Sequence, residues 1–246
     1  MATVRHLKNA PITEAIIDFR VKGSAGFKVE EFSNLKSRLA GQFPLIDERV
    51  VVEGGVHVSR GEISPFTKGK QVSGYWFKST DGLSIAQFRR DGFTFNRLKP
   101  YTRWDQVFPQ AWKLWELYVT TGAAEFVTRI ATRFINRISL PLPIELAEYL
   151  TAPPRLPEGV NGRLGTFLTR LVVNRSQDGI AVNITQALEK DADLNRGVIM
   201  LDIDAYNTRE FKLEDEALGS SFSVLRNVKN EVFFNSITEE TARICE

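Results

Sequence analysis

The sequence predicts an α+β protein of two packed lobes, each an antiparallel β-meander with a long helix laid across it. Three observations lead there. Asp81-Gly82 and Asp91-Gly92 divide residues 74–98 into three short segments, as hairpin turns divide antiparallel strands. Three more strand-like segments, at 166–174, 180–188 and 198–206, are parted by Gln177-Asp178-Gly179 and Asn195-Arg196-Gly197. Each set leads into a long segment with apolar residues at helical spacing, 104–121 and 213–234. The lobes are then residues 1–143 and 144–246, with one continuous domain as the alternative. The two halves repeat an order of elements but no residue-level motif.

The first strand is expected at 15–21. Ile17, Phe19 and Val21 point one way, Ile16, Asp18 and Arg20 the other, with Pro11 before and Gly23 after. A helix is expected at 29–43, with Val29, Phe32, Leu35, Leu39 and Phe43 as its stripe and Pro44 as its stop. Valines at 50, 51, 52, 56 and 58 make 49–60 strand-like, and Gly54-Gly55 suggests a bulge or tight turn. Residues 61–73, with Pro65, Gly69 and two lysines, read as an exposed loop.

The segment 104–121 carries Val107, Phe108, Ala111, Trp112, Trp115 and Val119 on one helical face. Pro109 sits in its second turn, where a missing N–H costs less, and Gly122 ends it. Residues 126–139 repeat apolar side chains every four positions, which suits a helix or one face of a strand. Val127, Thr128, Ile130, Thr132, Ile135 and Ile138 are β-branched and decide for a strand. A short helix is expected at 144–150. The stretch APPRLPEGVNGRLG at 152–165 reads as a boundary or long surface loop. The 213–234 helix has Leu218, Phe222, Leu225, Val228 and Val232 on one side. Ser236 and Glu239 have capping-box spacing for a last short helix.

Bulk composition excludes several classes. Lys plus Arg is 32 against 30 Asp plus Glu, a net charge of +2, so a basic surface has to come from local arrangement. One cysteine, Cys245, permits no disulfide framework and suits a reducing cytoplasm. The N-terminus lacks the apolar run of a signal peptide, and no stretch approaches the roughly 20 apolar residues of a membrane span. With two histidines and one thiol a zinc site is not expected, no cofactor is implied, and Cys245 is a poor nucleophile. No Gly-x-Ser-x-Gly or phosphate-cradling motif is present.

Two constellations carry candidate chemistry. On the 126–139 strand, Arg129, Arg133 and Arg137 share one face at roughly 7 Å intervals. They form an anion ladder, or else a solvated face whose arginines pair with carboxylates of neighbouring strands. Asp202 and Asp204, in VIMLDIDAYN, leave one face of a strand together, as do the paired carboxylates of Mg²⁺-dependent phosphoryl-transfer sites. The alternative is a polar stripe on a half-buried strand. Rings and cations also interleave at Phe88, Arg89, Arg90, Phe93, Phe95 and Arg97, and at Tyr101, Arg103 and Trp104. That pattern fits a stacking platform for single-stranded nucleic acid or an amphipathic strand with its rings in the core.

The opening LKNAPITEAIIDFRV, the central RFINRI followed by SLP, and the closing VKNEVFFNSITEE together resemble an uncharacterised family of similar length, scattered sporadically through bacteria and archaea. Matching positions are Pro11, Ile12, Glu14 and Ala15; Arg133, Asn136 and Arg137; and Phe234, Ile237 and Thr238. The resemblance implies a full-length member and a strand at 129–138, and it transfers no activity. Sporadic distribution is by analogy that of mobile accessory functions such as defence or toxin–antitoxin modules. The leading expectation is a non-enzymatic binding or regulatory protein that takes a protein or anionic partner through Arg129, Arg133, Arg137 and Asn136. A nucleic-acid binder using the same face, and a Mg²⁺ enzyme using Asp202 and Asp204, are the alternatives. No membrane partner is expected, and pairing into a homodimer is left open.

Overall fold

Alternation of apolar and polar side chains calls for strands with one face in a core; among the described residues nine segments form strands, and the inner ones bury one face while the two outermost stay largely exposed. The structure is a computed structural model and describes residues 1–59, 62–193 and 195–246. Its strands are β1 (Ile12–Gly23), β2 (Leu45–Ser59), β3 (Glu62–Lys78), β4 (Ser84–Arg89), β5 (Gly92–Leu98), β6 (Ala124–Pro141), β7 (Phe167–Asn174), β8 (Ile180–Lys190) and β9 (Arg196–Asn207). They pair antiparallel throughout in one sheet of order β2-β3-β4-β5-β1-β6-β9-β8-β7. The helices are α1 (Leu35–Leu39), α2 (Trp104–Val119), α3 (Leu146–Tyr149), α4 (Glu216–Ser236) and α5 (Glu239–Ile244), with a 3-10 turn at Val29–Asn34 before α1.

The expectation of two packed lobes is overturned by this single sheet. β6, from the first half of the chain, pairs with β9 from the second along twelve residue pairs, Ile130↔Asn207 to Pro141↔Arg196. Both meanders are present, yet each ends beside a strand that precedes it in sequence. β5 returns to flank β1, and β9 returns to flank β6. β1 and β6 then pair with each other at the centre. The repeated order of elements is therefore laid edge to edge in one layer. Local pattern sets strands and turns; it does not say which strand of one half lies beside which of the other.

Local differences have local causes. Residues 61–73 were expected to be a loop, but β3 runs through 62–73 as the partner of β2. From 62 to 73 the bonded neighbour of β3 is β2, since pairing with β4 begins only at Gly74, and a strand with one bonded side tolerates a proline. The expected 29–43 helix shortens to a 3-10 turn and the five-residue α1, which still buries Phe32, Leu35 and Leu39. The last helix is capped by Thr238, whose hydroxyl accepts from the Thr241 N–H, and Ser236 instead closes α4.

α2 packs on β4 and β5, and α4 on β6 and β9. Between helices and sheet lies an aromatic core. Phe19 of β1 stacks on Trp115 of α2 with centroids 4.2 Å apart and meets Phe222 of α4 at 4.7 Å. Phe88, Phe93 and Phe95 are fully buried, the first two beside Tyr118, whose hydroxyl donates to the Arg89 carbonyl. Burying one such ring is worth about 1.5–3 kcal/mol. β5 approaches β1 so closely at Gly92 (φ +150°) that a Cβ there would lie 2.0 Å from the Phe19 carbonyl oxygen.

Candidate functional site

With the helices gathered on one side, residues of opposite parity on each strand form a second, polar face. Glu14, Asp18 and Arg20 come from β1, Gln87 and Arg89 from β4, and Thr94 and Asn96 from β5. β6 contributes Arg129, Arg133 and Arg137, β9 contributes Asp202 and Asp204, and β8 contributes Asn183. The three arginines thus share a face as their spacing predicts, and so do the two aspartates.

Each ladder arginine meets a carboxylate. Arg129 Nη2 donates to Asp204 Oδ2 at 2.9 Å and its Nη1 to Asp18 at 3.2 Å, while its guanidinium lies 4.5 Å from the centre of the Tyr206 ring. Arg133 holds Asp202 in a fork, Nε to Oδ1 at 2.9 Å and Nη2 to Oδ2 at 2.6 Å. That hydrogen bond outweighs burial, which acts the other way, and raises the pKa of the Arg133 guanidinium. Arg137 Nη1 donates to Glu189 of β8 at 2.6 Å. Asn183 adds a donor to Asp204 at 3.1 Å. Around Asp18 the network tightens: it accepts from Thr94 Oγ1 at 2.6 Å, from Arg20 at 3.1 Å and from buried Arg89 at 3.4 Å. The carboxylate oxygens of Asp202 and Asp204 therefore already serve guanidiniums. Among the described residues no group of three or more His, Cys, Asp or Glu is placed to hold a metal ion.

Asn136 is not brought to the ladder. Its even number turns it to the helix side, where it is buried and its amide donates to the carbonyls of Leu201 (2.9 Å) and Phe134 (3.3 Å). The rings considered as a stacking platform divide as well. Phe88, Phe93 and Phe95 lie in the core, on the side away from Arg89, while Arg97 shares their side at the end of β5.

On the helix side Asn136 lines a cleft of about 990 Å³ between the N-terminal segment, the chain around Tyr101 and Trp104, and α4. Lys229 of α4 is 7% exposed there, with Nζ 3.8 Å from the centre of the Phe134 ring. Burial, helped by the nearby positive charge of Arg226, pushes its ammonium down to about 7. Burial likewise pushes the Tyr101 hydroxyl up to about 12. Reading the sequence for chemistry overlooked this lysine. Its signal was its place beside Val228 and four residues after Leu225, inside the apolar stripe of α4.

The chain matches no family model, no curated protein and no solved structure in the three comparisons made. No helix among the described residues is long and apolar enough to cross a membrane.

Proposed function

We propose that the chain is a non-enzymatic binding or regulatory protein whose partner is another protein, docked on the polar face of the sheet over β6, β9, β8 and β7. One observation carries this reading. Register places exposed apolar side chains in the same cross-strand rows as the ladder. Leu168 pairs with Ala187, Ala187 with Met200, and Met200 with Arg137. Val172 pairs with Asn183, Asn183 with Asp204, and Asp204 with Arg133. Directly paired residues point the same way, so Leu168 (71% exposed) and Val172 (55%) share the face of Arg137 (40%) and Arg133 (45%), three strands away in the same rows. Apolar anchors next to a balanced, directional polar field are the anatomy of a protein interface. Ladder guanidiniums that already face carboxylates favour a protein over a polyanion, whose affinity rests on unneutralised cations.

In this reading the chain works in the cytoplasm as the accessory of a larger system, as its single cysteine and its resemblance to a sporadic family suggest. The experiment is capture from native-cell extract with the tagged chain, the double variant Arg137→Glu/Leu168→Asp, and a control, Arg155→Glu, on the 152–165 loop. A stoichiometric partner, a second copy of the chain included, should be held by wild type and control and lost by the double variant. Equal capture by all three, with unchanged circular dichroism, would overturn the reading.

A further inference from the structure

The helix-side cleft has a composition the partner reading does not use. Among the described residues, its lining cations Lys8, Arg226 and Lys229 take part in no salt bridge. The other two arginines of the lining are occupied, Arg5 by Glu239 and Glu246 and Arg103 by Asp105. Asp105 is the lining's one carboxylate, so the cleft holds a net positive charge with no internal counter-ion for three of its cations. Arg226 and Lys229 are three residues apart on α4 and project from one helix face. The Lys229 stem is sunk in the apolar layer, with its ammonium against the Phe134 ring. Among the described residues this ammonium has no hydrogen-bonding partner, and a largely buried cation that opens only on the cleft is stabilised when an anion meets it there. Rings supply the rest of the wall: Tyr101 meets Phe134 edge-on at 5.4 Å, and Trp104 stacks on Phe108 at 4.9 Å beneath the Arg226 guanidinium. The size lies within the range of small-molecule sites.

We infer that this cleft binds a small phosphate monoester carried on a planar ring, of nucleoside-monophosphate size, with Lys229 and Arg226 taking the phosphate dianion and Tyr101 and Trp104 flanking the ring. A dianion rather than a single carboxylate fits a group of unpaired cations. A ring-bearing body rather than a bare ion fits the aromatic wall. The site is independent of the polar sheet face, so either reading stands if the other fails.

The test is calorimetric titration of the full chain at neutral pH and low salt with adenosine 5′-monophosphate, adenosine and inorganic phosphate. Wild type should bind the nucleotide, with adenosine and phosphate each at least tenfold weaker. Lys229→Met should lose at least tenfold in affinity. Arg226 is exposed, so Arg226→Gln leaves the core intact and should still lose severalfold, which keeps the test valid if the lysine variant misfolds. No heat with the nucleotide, equal affinity for adenosine, or unchanged affinity in Arg226→Gln and a folded Lys229→Met would each overturn the inference.

Discussion

Replacing Lys229 with methionine should stabilise the protein, and by an amount that depends on pH. Methionine keeps an unbranched stem of similar reach and removes the buried charge. The ammonium titrates near 7 in the folded chain against an ordinary 10.5. At about 1.4 kcal/mol for each tenfold change, that difference corresponds to roughly 5 kcal/mol when both states are protonated. Above about 10.5 the amine is neutral folded and unfolded, and the penalty vanishes. As pH falls the unfolded chain takes up the proton first, so stability is lost until the folded-state value near 7 is passed. The gain from Lys229→Met should therefore be about 5 kcal/mol near pH 6, less about 1 kcal/mol for the lost cation–ring contact with Phe134, and about 2 kcal/mol near pH 9, where the folded amine is neutral. Urea unfolding of both proteins at the two pH values measures it. His6, Lys8, Tyr101, Asp105 and Arg226 line the same cleft and are common to both proteins, so their own titrations largely cancel in the difference. Parallel pH profiles for wild type and variant would refute the reasoning. A lysine that costs this much stability at neutral pH is what a binding role would retain.

Other expectations follow from the same geometry. Arg133→Gln strips the fork from a mostly buried Asp202 and should cost about 1–2 kcal/mol, whereas Arg137→Gln, in an ion pair exposed at both ends, should cost at most about 1 kcal/mol; thermal melts of the two side by side test the ordering. Gly92→Ala drives a Cβ into the Phe19 carbonyl in a conformation that disfavours side chains, and should cost on the order of 3 kcal/mol in urea unfolding; a shift below about 1 kcal/mol would show that β5 can retreat from β1. Phe19→Ala removes a ring between Trp115 and Phe222, and should cost about 3–5 kcal/mol by the same assay.

Apart from 62–73, where Pro65 and Gly69 read as a loop and β3 runs instead, strands and turns were legible because their signals are local. Asp81-Gly82 and Asp91-Gly92 announce their hairpins, and the β-branched residues of β6 settle its strand against an equally good helical period. The shared face of Arg129, Arg133 and Arg137 was legible for the same reason, since parity along a strand fixes direction. Partners were not legible. Nothing in the neighbourhood of Arg133 names Asp202, sixty-nine residues on, as the group that holds it. The sheet order was hidden likewise: two similar halves can stack or join edge to edge with the same turns. Here the long β6 ladder with β9 joins them. Asn136 was grouped with its neighbours in sequence when its even number already set it on the other face. Lys229 was overlooked because a single lysine inside an apolar stripe reads as an imperfection of the helix until the cavity beside it is seen.

β6 carries Arg133 and Arg137 toward one side and Phe134 and Asn136 toward the other. The ladder and the wall of the Lys229 cleft are thus alternate teeth of one strand, held between β1 and β9. A rigid-body tilt of that strand moves both faces together, in opposite senses. The two surfaces therefore share one backbone: a substitution that shifts β6 between its neighbours displaces the wall of the cleft and the ladder at once.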